Sequence, residues 1–288
     1  MKKLVSILLL LCLLLSGCVT PTQSDAPKEF KVHFIDVGQS ESILLEYDGH
    51  FALIDGGYEE EGPNVVNYLL AQGVEKLDLV VATHLHGDHL GGLPLVVSCF
   101  PVGRIWCSSQ TYYSSAYDRF TYYADQQDVA VERPIPGEVF FLGDVELLLL
   151  GPLYPSYDDL NNSSLVIMAT FRENKFLLAG DMRWEAEKEL VESGADLKAD
   201  VLKVGHHGSY TSTSYVFLRE VMPDHAVISC GKNNEYGHPH SEPMSRLRDA
   251  GVTIYRTDRL GTIVATSNGT EITFTWTHPS SQPEVNPK

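Results

Sequence analysis

Beyond about residue 29, apolar positions recur at two spacings, one suited to strands and one to helices. "KVHFIDVG" and "SILLEYDGHFALIDGG" alternate or run apolar between turn residues, which predicts three strands with a tight turn at Asp48-Gly49. "GPNVVNYLLAQG" changes the period: Pro63 opens a helix, Val66, Leu69 and Leu70 share one face, and Gly73 stops it. "KLDLVVAT" is a short strand, apolar on both faces. Further strands are expected near "RIWC", "VELLLL", "SLVIMATF", "KFLLAG", "DVLKVG", "HAVISC" and "VTIYRT". Helices are expected near "WEAEKELVES", "TSYVFLREVM" and "EPMSRLRDA", and "GTIVATSNGTEITFTW" closes as a hairpin around Asn268-Gly269. Strands apolar on both faces need cover on both sides, so the pattern predicts an α/β fold with helices outside two stacked sheets.

The ends of the chain break both patterns. "MKKLVSILLLLCLLLSGCVT" has two lysines, an unbroken apolar run and small residues before a cysteine, the layout of a secretory signal. Residues 1–17 are therefore expected to be a signal peptide, with 18–28 a flexible tether, 29–277 one folded domain and 278–288 a disordered tail. Leu15-Ser16-Gly17-Cys18 resembles a bacterial lipoprotein box, which implies lipidation of Cys18 and an extracytoplasmic domain anchored to the bacterial cell membrane. Three cysteines remain beyond it, Cys99, Cys107 and Cys230, without a framework spacing; they are expected as buried free thiols.

Charge narrows the partners. The formal net charge is −17 over 288 residues, and about −19 once Lys2 and Lys3 are removed. Duplex DNA is normally held by a basic footprint, and no lysine or arginine cluster is visible. Around a bound metal the field can still be locally positive. "TYYSSAYDRFTYYADQQ" offers an aromatic face, read as a helix packed on the core. No phosphate-binding glycine loop, dinucleotide fingerprint or G-x-S-x-G elbow is found.

The candidate chemistry lies in "THLHGDHLGG", Thr83 to Gly92. Where the strand ends, glycines 87, 91 and 92 let the chain coil, so that His84, His86, Asp88 and His89 converge from one loop. Imidazole and carboxylate at this density suit zinc, manganese or iron.

The H-x-H-x-D-H pattern resembles the metallo-β-lactamase superfamily. Within it, "HFIDVGQSESILL", "ALIDGG", "NNSSLVI", "FLLAGD", "DVLKVGHHGS", "AVISCGKNNEYGHPH" and "YRTDRLGTI" are, in order, similar to the extracytoplasmic domain of ComEC-type competence proteins. The resemblance implies a four-layer αββα sandwich holding two divalent metal ions, zinc or manganese. It places His84 and His86 on one ion and Asp88 and His89 on the other. Asp181 would bridge the two, and His206 would be the distant histidine of the second site. Many members also carry a histidine between the motif and the bridging aspartate; here the stretch reads Asn161, Asn162, Ser163, Ser164. That departure weakens the first site, exchanges zinc for manganese, or leaves a water or an asparagine oxygen in the histidine's place.

The implied reaction is hydrolysis by a metal-activated water. Asp88 would orient the nucleophile, and His238 and His240 would donate hydrogen bonds or a proton to a phosphoryl oxygen or leaving group. Asp36, Asn162, Lys203 and His207 are expected around the ligands or substrate, Asp36 on a ligand imidazole and Lys203 toward phosphate. The usual "GQGDS" reads "GQSES", with Ser40 and Glu41 substituted. The expected activity is that of a membrane-anchored, extracytoplasmic phosphodiesterase or nuclease, with single-stranded DNA or an envelope polymer as substrate and no obligate protein partner. The alternatives are a phosphorylcholine-type envelope esterase and a metal-retaining binding module without turnover.

Overall fold

The computed structural model describes residues 28–285. The expected signal peptide, Cys18 and all of the tether but Lys28 lie outside the described residues. Among the described residues no helix is long and apolar enough to cross a membrane.

The first sheet contains β1 (Phe30–Phe34), β2 (Ile43–Tyr47), β3 (His50–Ile54), β4 (Leu79–Ala82), β5 (Ile105–Cys107) and β6 (Val131–Glu132). The second contains β7 (Val139–Leu142), β8 (Val145–Gly151), β9 (Val166–Phe171), β10 (Asn174–Leu178), β11 (Val201–Lys203), β12 (His225–Ile228) and β13 (Thr253–Arg256). The closing hairpin of β14 (Ile263–Ser267) and β15 (Ile272–Trp276) returns to the first sheet, in the order β15-β14-β1-β2-β3-β4-β5-β6. The second runs β13-β12-β11-β10-β9-β8-β7.

Helix α1 (Gly62–Ala71), the short α2 (Gly87–Leu90), α3 (Leu93–Cys99) and α4 (Ser115–Gln126) belong to the first sheet's outer face. Helices α5 (Trp184–Glu192), α6 (Tyr215–Val221) and α7 (Ser241–Asp249) cover the second, and a one-turn α8 (Thr257–Leu260) follows β13. The expected four-layer αββα sandwich is the observed fold. β4 shows why: Leu79 and Val81 join the core between the sheets, while Val80 and Ala82 join the core under the helices.

Local chemistry sets the joints. Asp48 and Gly49 both take positive φ, 48° and 80°, so a two-residue hairpin turn of matching twist links β2 to β3. In α1 Leu69 is buried as predicted, but its partner on that face is Val65, with Val66 only partly buried and Leu70 59% exposed. The aromatic stretch does form a helix, capped by Ser114 and burying Phe120 and Ala124, but Tyr112 and Tyr113 stay exposed in the loop before it. Cys107 and Cys230 are buried free thiols, whereas Cys99 is free and exposed. The tail departs from expectation as well. Glu284 exchanges two backbone hydrogen bonds with Ile254, both 2.9 Å, closing the open edge of β13.

Strands β3 to β6 run parallel, as do β10 to β13, so each sheet delivers several loops to one edge. Asp55 follows β3, the histidine motif follows β4, Asp181 follows β10, and His206 and His207 follow β11. Leu165 N–H donates to Thr83 C=O at 2.9 Å and stitches the sheets together there.

Candidate metal centre

Thr83 ends β4 as a fixed point. Its N–H and hydroxyl both donate to the carboxylate of Asp55, at 2.8 and 2.6 Å. Asp55 is fully buried and has a φ of 58°, and its Oδ2 also meets His89 Nδ1 at 2.7 Å. An imidazole held at Nδ1 by a carboxylate presents Nε2 forward, the arrangement that orients metal-binding histidines. The one-turn α2 that carries Asp88 and His89 sits tightly on the loop after β3, because Gly92 leaves no room for a side chain: a Cβ there would lie 2.0 Å from Gly56 C=O.

The opposite wall comes from the second sheet. Asp181 follows β10, its N–H donating to Ser164 Oγ at 3.1 Å. After β11 the chain takes φ of 50° at His206 and 54° at His207, and this left-handed turn decides which imidazole faces inward. His207 Nδ1 donates to Ser229 C=O at 2.9 Å, leaving Nε2 forward. His206 is instead held by Thr211 Oγ1 at 3.1 Å from its Nδ1.

Ligand atoms of Asp88, His89, Asp181 and His207 all lie within 4.8 Å of one another. Asp181 Oδ2 is 3.3 Å from His89 Nε2 and 3.5 Å from His207 Nε2. Asp88 Oδ2 is 3.4 Å from His207 Nε2 and 3.9 Å from His89 Nε2. The edges of a tetrahedron around an ion at about 2.0–2.1 Å from its ligands are about 3.3–3.4 Å, so these separations fit one cation. His89 Nε2, His207 Nε2 and Asp181 Oδ1 are all buried without a hydrogen-bond partner, which a cation would supply. The donors therefore fit a divalent metal. Here the structure corrects the expectation: His207, placed around the ligands by sequence reasoning, is in the cluster, and His206 lies at its margin, 3.9 Å from Asp181.

Charge follows geometry. Burial opposes ionisation of His89, yet Asp181, Asp55 and Asp88 outweigh it and hold its pKa well above the ordinary range. His207, likewise buried, is pushed up to about 10 by Asp181 and Asp88. Both carboxylates resist burial and are held well below their usual range, Asp88 chiefly by His89 and Asp181 chiefly by His207. Two imidazoles and two carboxylates thus compensate each other, and the imidazoles must shed protons to take a metal.

The other two histidines of the motif form a sparser pair. His84 Nε2 and His86 Nδ1 are 3.0 Å apart, and His84 Nδ1 has only hydroxyls behind it, Thr83 Oγ1 at 3.2 Å and Ser164 Oγ at 3.5 Å. Burial, then neighbouring His89, drives the His84 pKa well below its ordinary value.

These groups floor a cleft of about 280 Å³ lined by Gln39, Tyr58, Tyr236 and His238 as well as His86, Asp88, Asn161, Asp181, His206 and His207. A larger cavity of about 400 Å³ between α6 and α7 holds none of these side chains. His238 stacks on Tyr236 and has its pKa pushed down to about 4 by burial, with His207, His206 and His240 adding to the effect. His240, expected in the chemistry, does not line the cleft: it precedes the first turn of α7, and its Nδ1 accepts from Tyr210 N–H at 3.1 Å.

Three residues expected around the ligands serve elsewhere. Asp36 is exposed and its carboxylate accepts from Gly38 N–H at 3.3 Å in a turn, with no imidazole bonded to it. Asn162 bridges to α5, its Oδ1 accepting from Arg183 N–H at 3.0 Å; its neighbour Asn161 is the one that lines the cleft. Lys203 is fully buried and paired with Glu41, so it points at no substrate. In "GQSES" position 41 keeps the carboxylate of the usual motif, which here answers the buried lysine, and Glu41 N–H donates to Asp88 C=O at 3.1 Å, tying the pair to the ligand loop. Sequence reasoning missed Asp55. Its one signal is an aspartate directly after an apolar strand and before two glycines, which also describes an ordinary turn.

The sequence profile of the metallo-beta-lactamase superfamily matches residues 35–232. The chain belongs to that superfamily. Among curated superfamily relatives, ComE operon protein 3 of Bacillus subtilis is 33% identical over 253 residues, covering 82% of this chain and 33% of that protein. Competence protein ComA of Neisseria gonorrhoeae is 32% identical over 254 residues, covering 87% of this chain and 34% of that protein. The chain thus spans about a third of the length of these relatives. Among solved structures, the metallo-beta-lactamase fold protein YhfI of Bacillus subtilis shares the superfamily fold with a TM-score of 0.57 at 13% identity, over 83% of this chain and all of that one.

Proposed function

We propose that this protein is a metal-dependent phosphodiesterase of the nuclease or envelope-esterase type, working outside the cytoplasm from a lipid anchor at Cys18. The observation that carries this reading is the convergence of Asp88, His89, Asp181 and His207 at an open cleft that all but the buried His89 line, with three buried ligand atoms unpartnered. A divalent cation bound there supplies Lewis acidity and brings the pKa of a water toward neutrality.

The chain's own groups do the rest. Asp88, whose side chain is 21% exposed while Asp181 is closed off, is the carboxylate that can hold an attacking water by accepting its proton in a hydrogen bond. Gln39 Nε2 donates to His238 Nδ1 at 3.1 Å, so the His238 proton sits on Nε2 and serves as a hydrogen-bond donor to a phosphoryl oxygen. The stacked Tyr236 fixes that ring, with centroids 5.6 Å apart. Among the described residues no lysine or arginine lines the cleft, which favours a phosphodiester bound one linkage at a time over a long polyanion gripped along its backbone. Single-stranded DNA is the substrate expected from the resemblance to competence proteins, and an envelope phosphodiester is the other. The incomplete His84–His86 pair supports one rival reading, a metal-retaining binding module without turnover.

The full-length protein, loaded with Mn²⁺ or Zn²⁺, is to be tested on bis-(p-nitrophenyl) phosphate, a phosphocholine ester and labelled single-stranded DNA. Turnover on at least one is expected, with a loss of about 10³-fold or more in Asp181→Asn. Activity that survives in both Asp181→Asn and His207→Ala defeats the proposal; a tightly held ion at the four-residue cluster without turnover on any substrate selects the binding module. Mass spectrometry of the membrane fraction should find diacylglyceryl-modified Cys18, and an unmodified secreted chain would refute the anchor.

A further inference from the structure

We infer that Asn161 gives its side-chain carbonyl oxygen to a cation position shared with His84 and His86, and that this hard donor narrows the position's preference for Zn²⁺ over Mn²⁺ relative to a site with a third imidazole. The inference rests on the metal-dependent reading above but concerns a different set of ligands.

Three observations meet. His84 Nε2 and His86 Nδ1 lie 3.0 Å apart, close to the separation of about 3.3 Å expected for two nitrogens on one ion. Hydroxyls behind His84 Nδ1 leave Nε2 as its forward atom. Asn161 is only 7% exposed and lines the same cleft as His86, Asp88 and Asp181, yet its Oδ1 is buried with no hydrogen-bond partner. Leaving a buried carbonyl unsatisfied costs about 1–3 kcal/mol, so an oxygen kept this way in a cleft of ligands calls for a partner.

Its backbone is held firmly. Asn161 N–H donates to Asp159 Oδ1 at 3.0 Å, and Asn161 C=O accepts from Ser164 Oγ at 2.7 Å. Ser164 Oγ in turn accepts from Asp181 N–H and stands behind His84, so one hydroxyl ties together the asparagine, the histidine and the carboxylate. An amide oxygen is a hard donor. Replacing an imidazole with it shifts a site away from zinc and toward manganese, and lowers affinity relative to the two-carboxylate, two-histidine cluster beside it.

The test reads metal binding rather than turnover. Chelator-stripped full-length protein is titrated with Mn²⁺ and separately with Zn²⁺ by calorimetry, with bound Mn²⁺ followed by electron paramagnetic resonance. Two Mn²⁺ per chain are expected, one tight and one weaker. Asn161→Ala should raise the weaker Kd at least tenfold and leave the tight one within twofold, while Asn161→His should raise the ratio of Zn²⁺ to Mn²⁺ affinity at that position at least tenfold. Thermal unfolding of the metal-free variants confirms that each is folded, and Asn161→His supplies the reading if the alanine variant is not. A weaker site unchanged in Asn161→Ala, or a ratio of Zn²⁺ to Mn²⁺ affinity unchanged in Asn161→His, overturns the inference, as does a single ion per chain at saturation. A chain that binds both ions as described but hydrolyses nothing defeats the hydrolase reading and leaves this one supported.

Discussion

The two halves of the metal centre begin on the same short peptide, yet they are supported very differently. On one side His89 leans on the buried carboxylate of Asp55 and His207 on Ser229 C=O, and the Lys203–Glu41 ion pair holds the backbone of Asp88. On the other, His84 has two hydroxyls behind it, and the contact of His86 is with the forward nitrogen of His84 rather than with a group behind its ring. Sequence spacing brings ligands near each other; the groups behind them decide how strongly they hold a cation, because an imidazole is fixed in tautomer and direction only when its other nitrogen is engaged.

This contrast can be broken or sharpened by substitution. The largest effect is expected from removing a ligand of the well-supported half: His207→Ala should abolish tight metal binding in calorimetry and lower hydrolysis by about 10³-fold or more, whereas His206→Ala should cost less than about tenfold. If the two variants behave alike, the assignment of His207 over His206 is wrong. Next comes the buried pair beneath that half. Glu41→Ala leaves Lys203 charged and unpaired in the core and should destabilise the fold by about 3–5 kcal/mol in urea unfolding, and adding Lys203→Met should restore much of it. A single variant as stable as the parent would show that the pair contributes nothing. Asp55→Asn keeps the shape but weakens the hold on His89, and should lower metal affinity by about 10–100-fold; an unchanged Kd would mean that Asp55 is merely a turn residue. The smallest effect lies outside both halves. Glu46 has its pKa pulled down to about 2, chiefly by its hydrogen bond with His33 and then by Lys31. A carboxylate depressed on folding stabilises fully above its ordinary value of 4.5, and that contribution fades as pH falls toward 2. Glu46→Gln should therefore flatten the acid limb of stability below pH 4.5 without altering metal binding, and an acid limb that keeps its slope would remove Glu46 from the account.

How much could be read beforehand differs by region. The strands and most helices were legible because side-chain period reports burial, and β4, apolar on both faces, pointed directly to a sheet covered on both sides. The face of α1 was misplaced by one position because both Val65 and Val66 fit a helical stripe, and only the packing against β-strand and α3 side chains distinguishes them. The tail looked disordered because its composition lacks apolar periodicity. It is fixed instead by backbone pairing with β13 and by Glu284 meeting Arg248 and Arg259, contacts that no local pattern displays.

By itself the sequence determined the sandwich and the candidate ligand motif at the end of β4, since these rest on period, spacing and residue type, while the missing histidine near Asn161 was legible only through the resemblance to the superfamily. Tertiary structure alone decided that His207 rather than His206 joins the candidate cluster, that Asp55 holds His89, that Lys203 is consumed by Glu41, and that Asn161 rather than Asn162 enters the cleft. The reason is physical: which of two adjacent side chains points inward depends on backbone dihedrals, here the left-handed turn at 206 and 207, and on partners from strands distant in the chain.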